Sequence, residues 1–290
     1  MAEGPQVHRI AERLRRALLG RTLVEVRFWP TRLRPLESHL SGSAVTAVEA
    51  RGKHLLIFLH TGAVVHSHLM MWGRWEVLRP GQVPRKSTGR PWALLGTGTW
   101  NAVLFNGPVL EVLTTETLTL HPILGSQGPD PLRPDYRREE VLHRLRDPAR
   151  QDLPLAHVLL DQRVLAGVGN IYKSEALWQA RLHPLRPVRS LRSDERDRLV
   201  VAAERVLRTA YRQRFGTLPR RLWVVAGPFA VYRRAGRPCL WCGTPVLRLD
   251  TGRTTYFCPR CQPPRDELDK LPLGGLCYAS SAAGGVRESG

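Results

Sequence analysis

The spacing Cys239-x2-Cys242-x15-Cys258-x2-Cys261 constrains this chain more than any other feature. Two Cys-x-x-Cys pairs at the ends of a hairpin-length segment bring four thiolates to one point, the donor set of a tetrahedral metal site. The fifth cysteine, Cys277, stands alone. An unsecreted chain meets a reducing compartment, where such pairs hold metal rather than form disulfides. Thiolates suit zinc; a rubredoxin-like iron site uses similar spacing, but the segment between the pairs is basic and has no redox character. One structural zinc ion is therefore the expected cofactor, with no organic cofactor, and such a ribbon can serve simply to hold a small fold together. Arg253, in the turn Asp250-Thr-Gly-Arg at the predicted hairpin tip, suggests more, because an arginine there can grip a phosphate or enter a DNA groove.

Charge supports that direction. The chain carries 44 Lys and Arg against 25 Asp and Glu, a net charge of +19 over 290 residues. Cations that neutralise phosphates release counterions, so such a surface favours nucleic acid, although a membrane surface attracts the same field. No apolar run reaches the roughly 18 residues a bilayer span needs, and the first residues mix Glu3, His8, Arg9 and Glu12 among apolar positions. Neither a signal peptide nor a span is expected, and the chain reads as intracellular.

Apolar residues at three- and four-residue steps predict a helix over Val7 to Leu19, stopped by Gly20. Short runs at Val24–Phe28, Val45–Ala50, His54–His60, Ala63–His68, Arg74–Val77, Ala102–Phe105 and Val109–Leu113, broken by Gly and Pro, predict a β-sandwich or barrel. His121 to Tyr136 holds Pro122, Pro129, Pro131 and Pro134, a composition that suits a linker. Helices are expected over Arg138–Arg146, Leu155–Leu160, Asn170–Ala180 and Ser193–Phe215. The fold class is thus α+β, with a Gly/Ser/Ala-rich tail expected to be disordered.

In Leu165-Ala-Gly-Val-Gly-Asn-Ile-Tyr-Lys173, Gly167 and Gly169 form a turn that opens a helix near Asn170. Backbone N–H groups at such a start bind phosphate; a plain glycine turn capped by Asn170 fits equally well.

Met1-Ala-Glu-Gly-Pro5, Arg51-Gly-Lys53, His68-Leu-Met-Met-Trp-Gly73, the Gly167–Lys173 turn and Tyr232-Arg-Arg-Ala-Gly-Arg-Pro-Cys239 through Cys261 follow in this order. Together they resemble the Fpg/Nei DNA glycosylases, over nearly the whole chain up to Gln262. The resemblance implies an N-terminal catalytic β-sandwich with a flanking helix at residues 1–120, a linker at 121–136 and a helix-two-turn-helix domain at 137–230. A zinc-finger β-hairpin follows at 231–262 and a disordered tail at 263–290. It also implies a bacterial-type monomer that holds damaged double-stranded DNA between its domains and flips the lesion out, with no membrane partner. Met70 and Met71, with Trp72, occupy the family's wedge segment, for which ordinary strand-edge core is the bland alternative. Asn170 and Arg253 would contact DNA.

Family chemistry implies that loss of Met1 frees the amine of Ala2 to attack the sugar C1′ and expel the base, leaving a Schiff base that then eliminates. Glu3 would supply a proton for ring opening, Lys53 would contact the backbone and assist elimination, and Arg253 belongs to the same catalytic set. The sequence departs from the family at residue 2, where proline is usual. A primary amine still forms an imine, but that imine must be protonated to draw electrons as proline's iminium does. A non-catalytic damaged-DNA binder is accordingly the alternative, and a structural RNA-binding protein a further one.

The short Gly216–Val231 segment lacks room for the loop that Fpg proteins fold over oxidised purines, and their arginine-phenylalanine wedge is missing around Trp100–Gly107. Leu118-Thr-Leu-His-Pro-Ile-Leu124 with Gly128-Pro-Asp130 resembles the endonuclease VIII branch, which favours oxidised pyrimidines. Gln6 replaces a glutamate frequent in the family, and Ser126 stands where that branch often has a DNA-contacting arginine.

Overall fold

The computed structural model describes residues 2–84, 89–214, 216–250 and 252–264. These fall into two compact units, one of residues up to Val141 together with Asp161–Val168, the other of Leu142–Leu160 and the residues from Gly169 onward. From residue 265 on, the expected disordered tail lies outside the described residues, as does Cys277. Among the described residues no helix is long and apolar enough to cross a membrane.

The first unit opens with α1 (Gly4–Leu18), which buries Val7, Ile10, Ala11, Leu14, Ala17 and Leu18 on one face. It starts three residues before the predicted Val7, because Pro5 sits in the first turn, where its missing N–H costs nothing. There follow β1 (Glu25–Phe28), α2 (Glu37–Leu40), β2 (Val45–Arg51), β3 (His54–Leu59), β4 (Ala63–His68), β5 (Arg74–Leu78), β6 (Pro91–Gly96), β7 (Asn101–Phe105), β8 (Val109–Thr114) and α3 (Thr115–Leu120), and the division between the units falls within α4 (Arg138–Leu145). The strands form two antiparallel four-stranded sheets, β1-β6-β7-β5 and β2-β3-β4-β8. One core joins the buried face of α1 to Leu55, Ile57, Val65 and Leu110 of one sheet and to Val26, Phe28, Ala93, Leu95 and Leu104 of the other.

Three elements of this unit, α2, β6 and α3, are absent from the sequence-based expectation. β6 begins at a proline and runs Trp92-Ala-Leu-Leu-Gly, with no alternation to mark it; pairing on both sides, to β1 and β7, makes it a strand. α3 is threonine-rich and owes its start to Thr114, whose hydroxyl accepts the Thr117 N–H. It carries Leu118, which with Leu124 covers Leu56 and Val64 on the outer face of the β2-β3-β4-β8 sheet. His121 to Arg137 forms neither helix nor strand.

The second unit contains α5 (Leu155–Val158), α6 (Asn170–Ala180), α7 (Ser193–Gln213), α8 (Trp223–Ala226) and the hairpin β9 (Leu247–Leu249) with β10 (Thr255–Phe257). Trp178 of α6, Leu218, Ala226, Ala230, Val231, Cys239, Val246 and Cys258 share a core, so the cysteine ribbon is packed onto the helices. The buried carboxylate of Glu175 strengthens the join: it accepts the Thr217 hydroxyl and the N–H groups of Ala230, Val231 and Tyr232. Four donors on one carboxylate compensate its burial.

Candidate active site and metal centre

Three glycines assemble the candidate catalytic residues of the first unit. Gly4 N–H donates to the Gly167 carbonyl at 2.9 Å. A Cβ on Gly4 would lie 2.9 Å from Gly167 Cα, and one on Gly52 3.0 Å from Ala166 Cβ. Gly52 and Gly167 also have positive φ, 58° and 90°, which other residues resist. The start of α1, carrying Ala2 and Glu3, and the β2–β3 turn, carrying Lys53, therefore meet on one strip of backbone.

Asp130 ties these pieces together. Its Oδ2 accepts the Gly52 N–H at 2.8 Å and lies 2.7 Å from His8 Nε2 of α1, and its Oδ1 accepts the Leu132 N–H. Glu3 is buried at the N-terminus of α1, where the helix dipole favours a carboxylate. Its N–H donates to Gln6 Oε1 at 3.2 Å, so the amide at position 6 serves as a local cap. Ser126 is likewise engaged locally, its hydroxyl donating to the Pro122 carbonyl. Lys53 is buried. The N–H of Ala2 donates to the Met70 carbonyl at 3.4 Å, which sets the wedge segment beside the N-terminus.

That segment is not strand-edge core. Met70, Met71 and Trp72 are 46%, 55% and 79% exposed, while Leu69 before them is buried. Water-exposed apolar side chains next to a cluster of polar groups are expected of a surface that meets a partner.

In the second unit Asn170 opens α6 and Arg253 stands exposed after Gly252 on the β9–β10 turn. Lys173, fully buried, connects them: its Nζ donates to Asn170 Oδ1 at 2.7 Å and to the Arg253 and Thr254 carbonyls at 3.3 and 3.2 Å. The sequence showed both candidates but not this ammonium between them; Lys173 lies three residues after Asn170 on the same helix face.

The four cysteine Sγ atoms all lie within 4.8 Å of one another, with Cys239–Cys261 at 3.9 Å and Cys242–Cys258 at 3.5 Å. An ion with sulfur bonds of about 2.3 Å and tetrahedral geometry sets its ligands about 3.8 Å apart, so this arrangement fits one. Burial and the other thiols push the Cys261 thiol up, whereas hydrogen bonding with Thr244 draws Cys242 down to about 6. A bound cation would offset that crowding. Trp178 Nε1–H donates to Cys239 Sγ at 3.4 Å and its ring stacks on Trp241 at 3.7 Å, which braces the ribbon.

Comparison with known proteins adds to this geometry. The family model for the formamidopyrimidine-DNA glycosylase N-terminal domain matches residues 1–100, and that for the formamidopyrimidine-DNA glycosylase H2TH domain residues 127–219. A Streptomyces coelicolor protein named probable endonuclease 8 2 is 41% identical over 272 residues, covering 90% of this chain and 94% of that one. The chain belongs to the formamidopyrimidine-DNA glycosylase and endonuclease 8 family. Endonuclease 8 of Escherichia coli is another member, 35% identical over 90% of this chain and 100% of its own. The family fold is also that of the Lactococcus lactis Fpg solved with DNA containing an abasic site, with a TM-score of 0.77, 22% identity, and 90% and 100% of the two chains covered. His8, Gly4 and Asp130, which build the site here, carry no chemical label in the sequence. The Met1-Ala-Glu-Gly-Pro5 and Gly128-Pro-Asp130 segments, legible as family likenesses, pointed to Gly4 and Asp130, and nothing pointed to His8.

Proposed function

We propose that this chain excises oxidised bases from DNA, pyrimidines above all, and nicks the abasic sites that result, through an imine formed on the amine of Ala2. As a family member the chain is a DNA glycosylase with AP-lyase activity in base excision repair. The observation that carries the finer reading is the convergence of Ala2, Glu3 and Lys53 on the Gly4–Gly52–Gly167 contact.

With Met1 removed, the nitrogen lone pair of Ala2 attacks C1′, and the base departs with the electrons of the glycosidic bond. An α-amino group titrates near pH 8, so a useful fraction is neutral at physiological pH. The Glu3 carboxylate takes the proton that the Ala2 nitrogen sheds as the bond to C1′ forms and passes it to the ring oxygen as the sugar opens. Loss of a proton from C2′ then drives out the 3′ phosphate, and water releases the imine. Lys53 places its positive charge against the DNA backbone during that departure. Asn170 and Arg253 grip DNA from the second unit, and Met70 and Met71 fill the space left by the extruded nucleotide. Cys239, Cys242, Cys258 and Cys261 hold a structural zinc ion, which supplies folding energy to the ribbon rather than chemistry.

The pyrimidine preference rests on the short segment before the finger and on the endonuclease 8 names of the relatives at 35–41% identity. Those relatives, matched over nearly their full lengths, favour an enzyme over the non-catalytic alternative. Borohydride trapping on duplexes carrying an abasic site, thymine glycol or 8-oxoguanine tests the reading. The expected result is a covalent adduct mapped to Ala2, strongest with the first two duplexes and reduced in Glu3→Gln and Arg253→Ala. Intact mass showing retained Met1, or tight binding without adduct or nick, overturns it.

A further inference from the structure

Gln162 is uncharged and lies on neither a helix nor a strand, yet its side chain grips the backbone on which the candidate site is built. Its Oε1 accepts the Gly167 N–H at 3.0 Å, and its Nε2 donates to the Val168 carbonyl at 2.9 Å. One end of a carboxamide only accepts and the other only donates, so these two backbone partners fix its orientation. The two bonds pin the chain on either side of the Gly167–Val168 peptide. They thereby set the direction of the Gly167 carbonyl between them.

That carbonyl accepts the Gly4 N–H at 2.9 Å, the hydrogen bond that seats the start of α1 and with it Ala2 and Glu3. Gly167 has φ of 90°, a conformation that glycine enters at no steric cost and leaves as easily, so the turn needs a hold from outside itself.

The main chain around Gln162 carries the same join further. Its own carbonyl accepts the Gly128 N–H at 2.8 Å, and the Ala166 N–H donates to the Pro129 carbonyl at 3.0 Å. A Cβ on Gly128 would lie 2.6 Å from the Arg163 carbonyl oxygen, so the segment that bears Asp130 is seated directly on the 162–166 loop. Asp130 in turn accepts the Gly52 N–H of the Lys53 turn. The start of α1 and the Lys53 turn are thus both referred to one short loop, and the carboxamide of Gln162 is the side chain that holds its glycine end.

We propose that Gln162 is a positioning residue for excision and nicking: its carboxamide holds the Gly167 peptide in the orientation that receives the Gly4 N–H, and so places Ala2 and Glu3 relative to Lys53. It acts through the backbone alone. The role rests on the reading of Ala2 as nucleophile and Glu3 as proton carrier, and adds what keeps the two in place.

Two substitutions separate the hydrogen bonds from the bulk of the side chain. Gln162→Met keeps the length and loses both bonds, whereas Gln162→Glu keeps the oxygen that accepts the Gly167 N–H and loses only the donor to Val168. Each variant is measured for hydrogen exchange of the Gly167 amide in the free protein and for affinity towards a duplex with an uncleavable abasic-site analogue. Single-turnover rates of borohydride trapping and of nicking on an abasic duplex complete the set. For Met the expected result is faster Gly167 exchange, and trapping and nicking lowered on the order of a hundredfold with affinity little changed, as small misplacements of reacting groups cost. Glu should keep the Gly167 protection and restore most of both rates, which a loss of packing alone would not produce. Wild-type rates in the Met variant, affinity falling as far as the rates, or a Glu variant no better than Met overturns the proposal. Should the wild type nick abasic DNA without an adduct at Ala2, the nucleophile reading fails, while a contrast between Met and Glu in nicking still supports the positioning role of Gln162.

Discussion

Ala2, Glu3 and Lys53 owe their meeting to the absence of side chains at Gly4, Gly52 and Gly167. A methyl group at Gly4 would lie 2.9 Å from Gly167 Cα and 3.1 Å from its carbonyl oxygen, both backbone atoms that cannot swing aside. Gly4→Ala should therefore push the start of α1 away from the Lys53 turn. Overpacking of this kind costs about 1–3 kcal/mol. The expected outcome is a lowered Tm in thermal unfolding together with a loss of trapping on abasic DNA much larger than the fall in DNA affinity. Equal losses of binding and trapping would mean that the glycine serves folding alone. On the proposed mechanism, position 2 is the other residue where a single atom matters, because an imine on alanine would have to gain a proton to act as an electron sink.

Among the elements, β3, β4 and β8 bring His54, His66, His68 and Glu111 onto one sheet face, and the charges of the rings depend on burial. Burial, then His68, His66, His121 and Lys53, holds His54 down at about 2. Burial, then Lys53 and His66, holds His68 down at about 4. Both lie below the ordinary histidine value near 6.5. As pH falls below about 6.5 the unfolded chain takes up protons that the folded sheet refuses, so stability declines with acidification and is flat above that pH. Thermal unfolding between pH 5 and 8 should show Tm falling on the acid side, with a shallower slope in His54→Leu. A Tm independent of pH over that range would contradict the neutral imidazoles. None of this was legible beforehand, since His54, His66 and Glu111 are far apart in sequence and strand register alone unites them. β6 went unseen for a related reason: its character comes from two neighbouring strands rather than from its own alternation. The strands that could be read, such as Ala63–His68, are those with clear punctuation and their own apolar pattern.

For the molecule as a whole, the net charge of +19 supplies a long-range attraction for DNA, and the cysteine ribbon supplies a second folding centre fastened to α6. Native mass spectrometry should find one zinc ion per chain and none in Cys258→Ser, with chelation lowering Tm and abolishing DNA binding through loss of the Arg253 turn. Two equivalents would contradict a single structural ion and direct attention to His66, Glu111 and His121, whose ligand atoms also lie within 4.8 Å of one another. What the sequence by itself determined was local or repetitive: the cysteine spacing, the apolar period of α1, the basic charge, and the linear motifs that mark the family. Tertiary structure alone decided which of the marked residues meet, because close glycine contacts, a buried carboxylate such as Asp130 and cross-strand register join positions with no proximity along the chain.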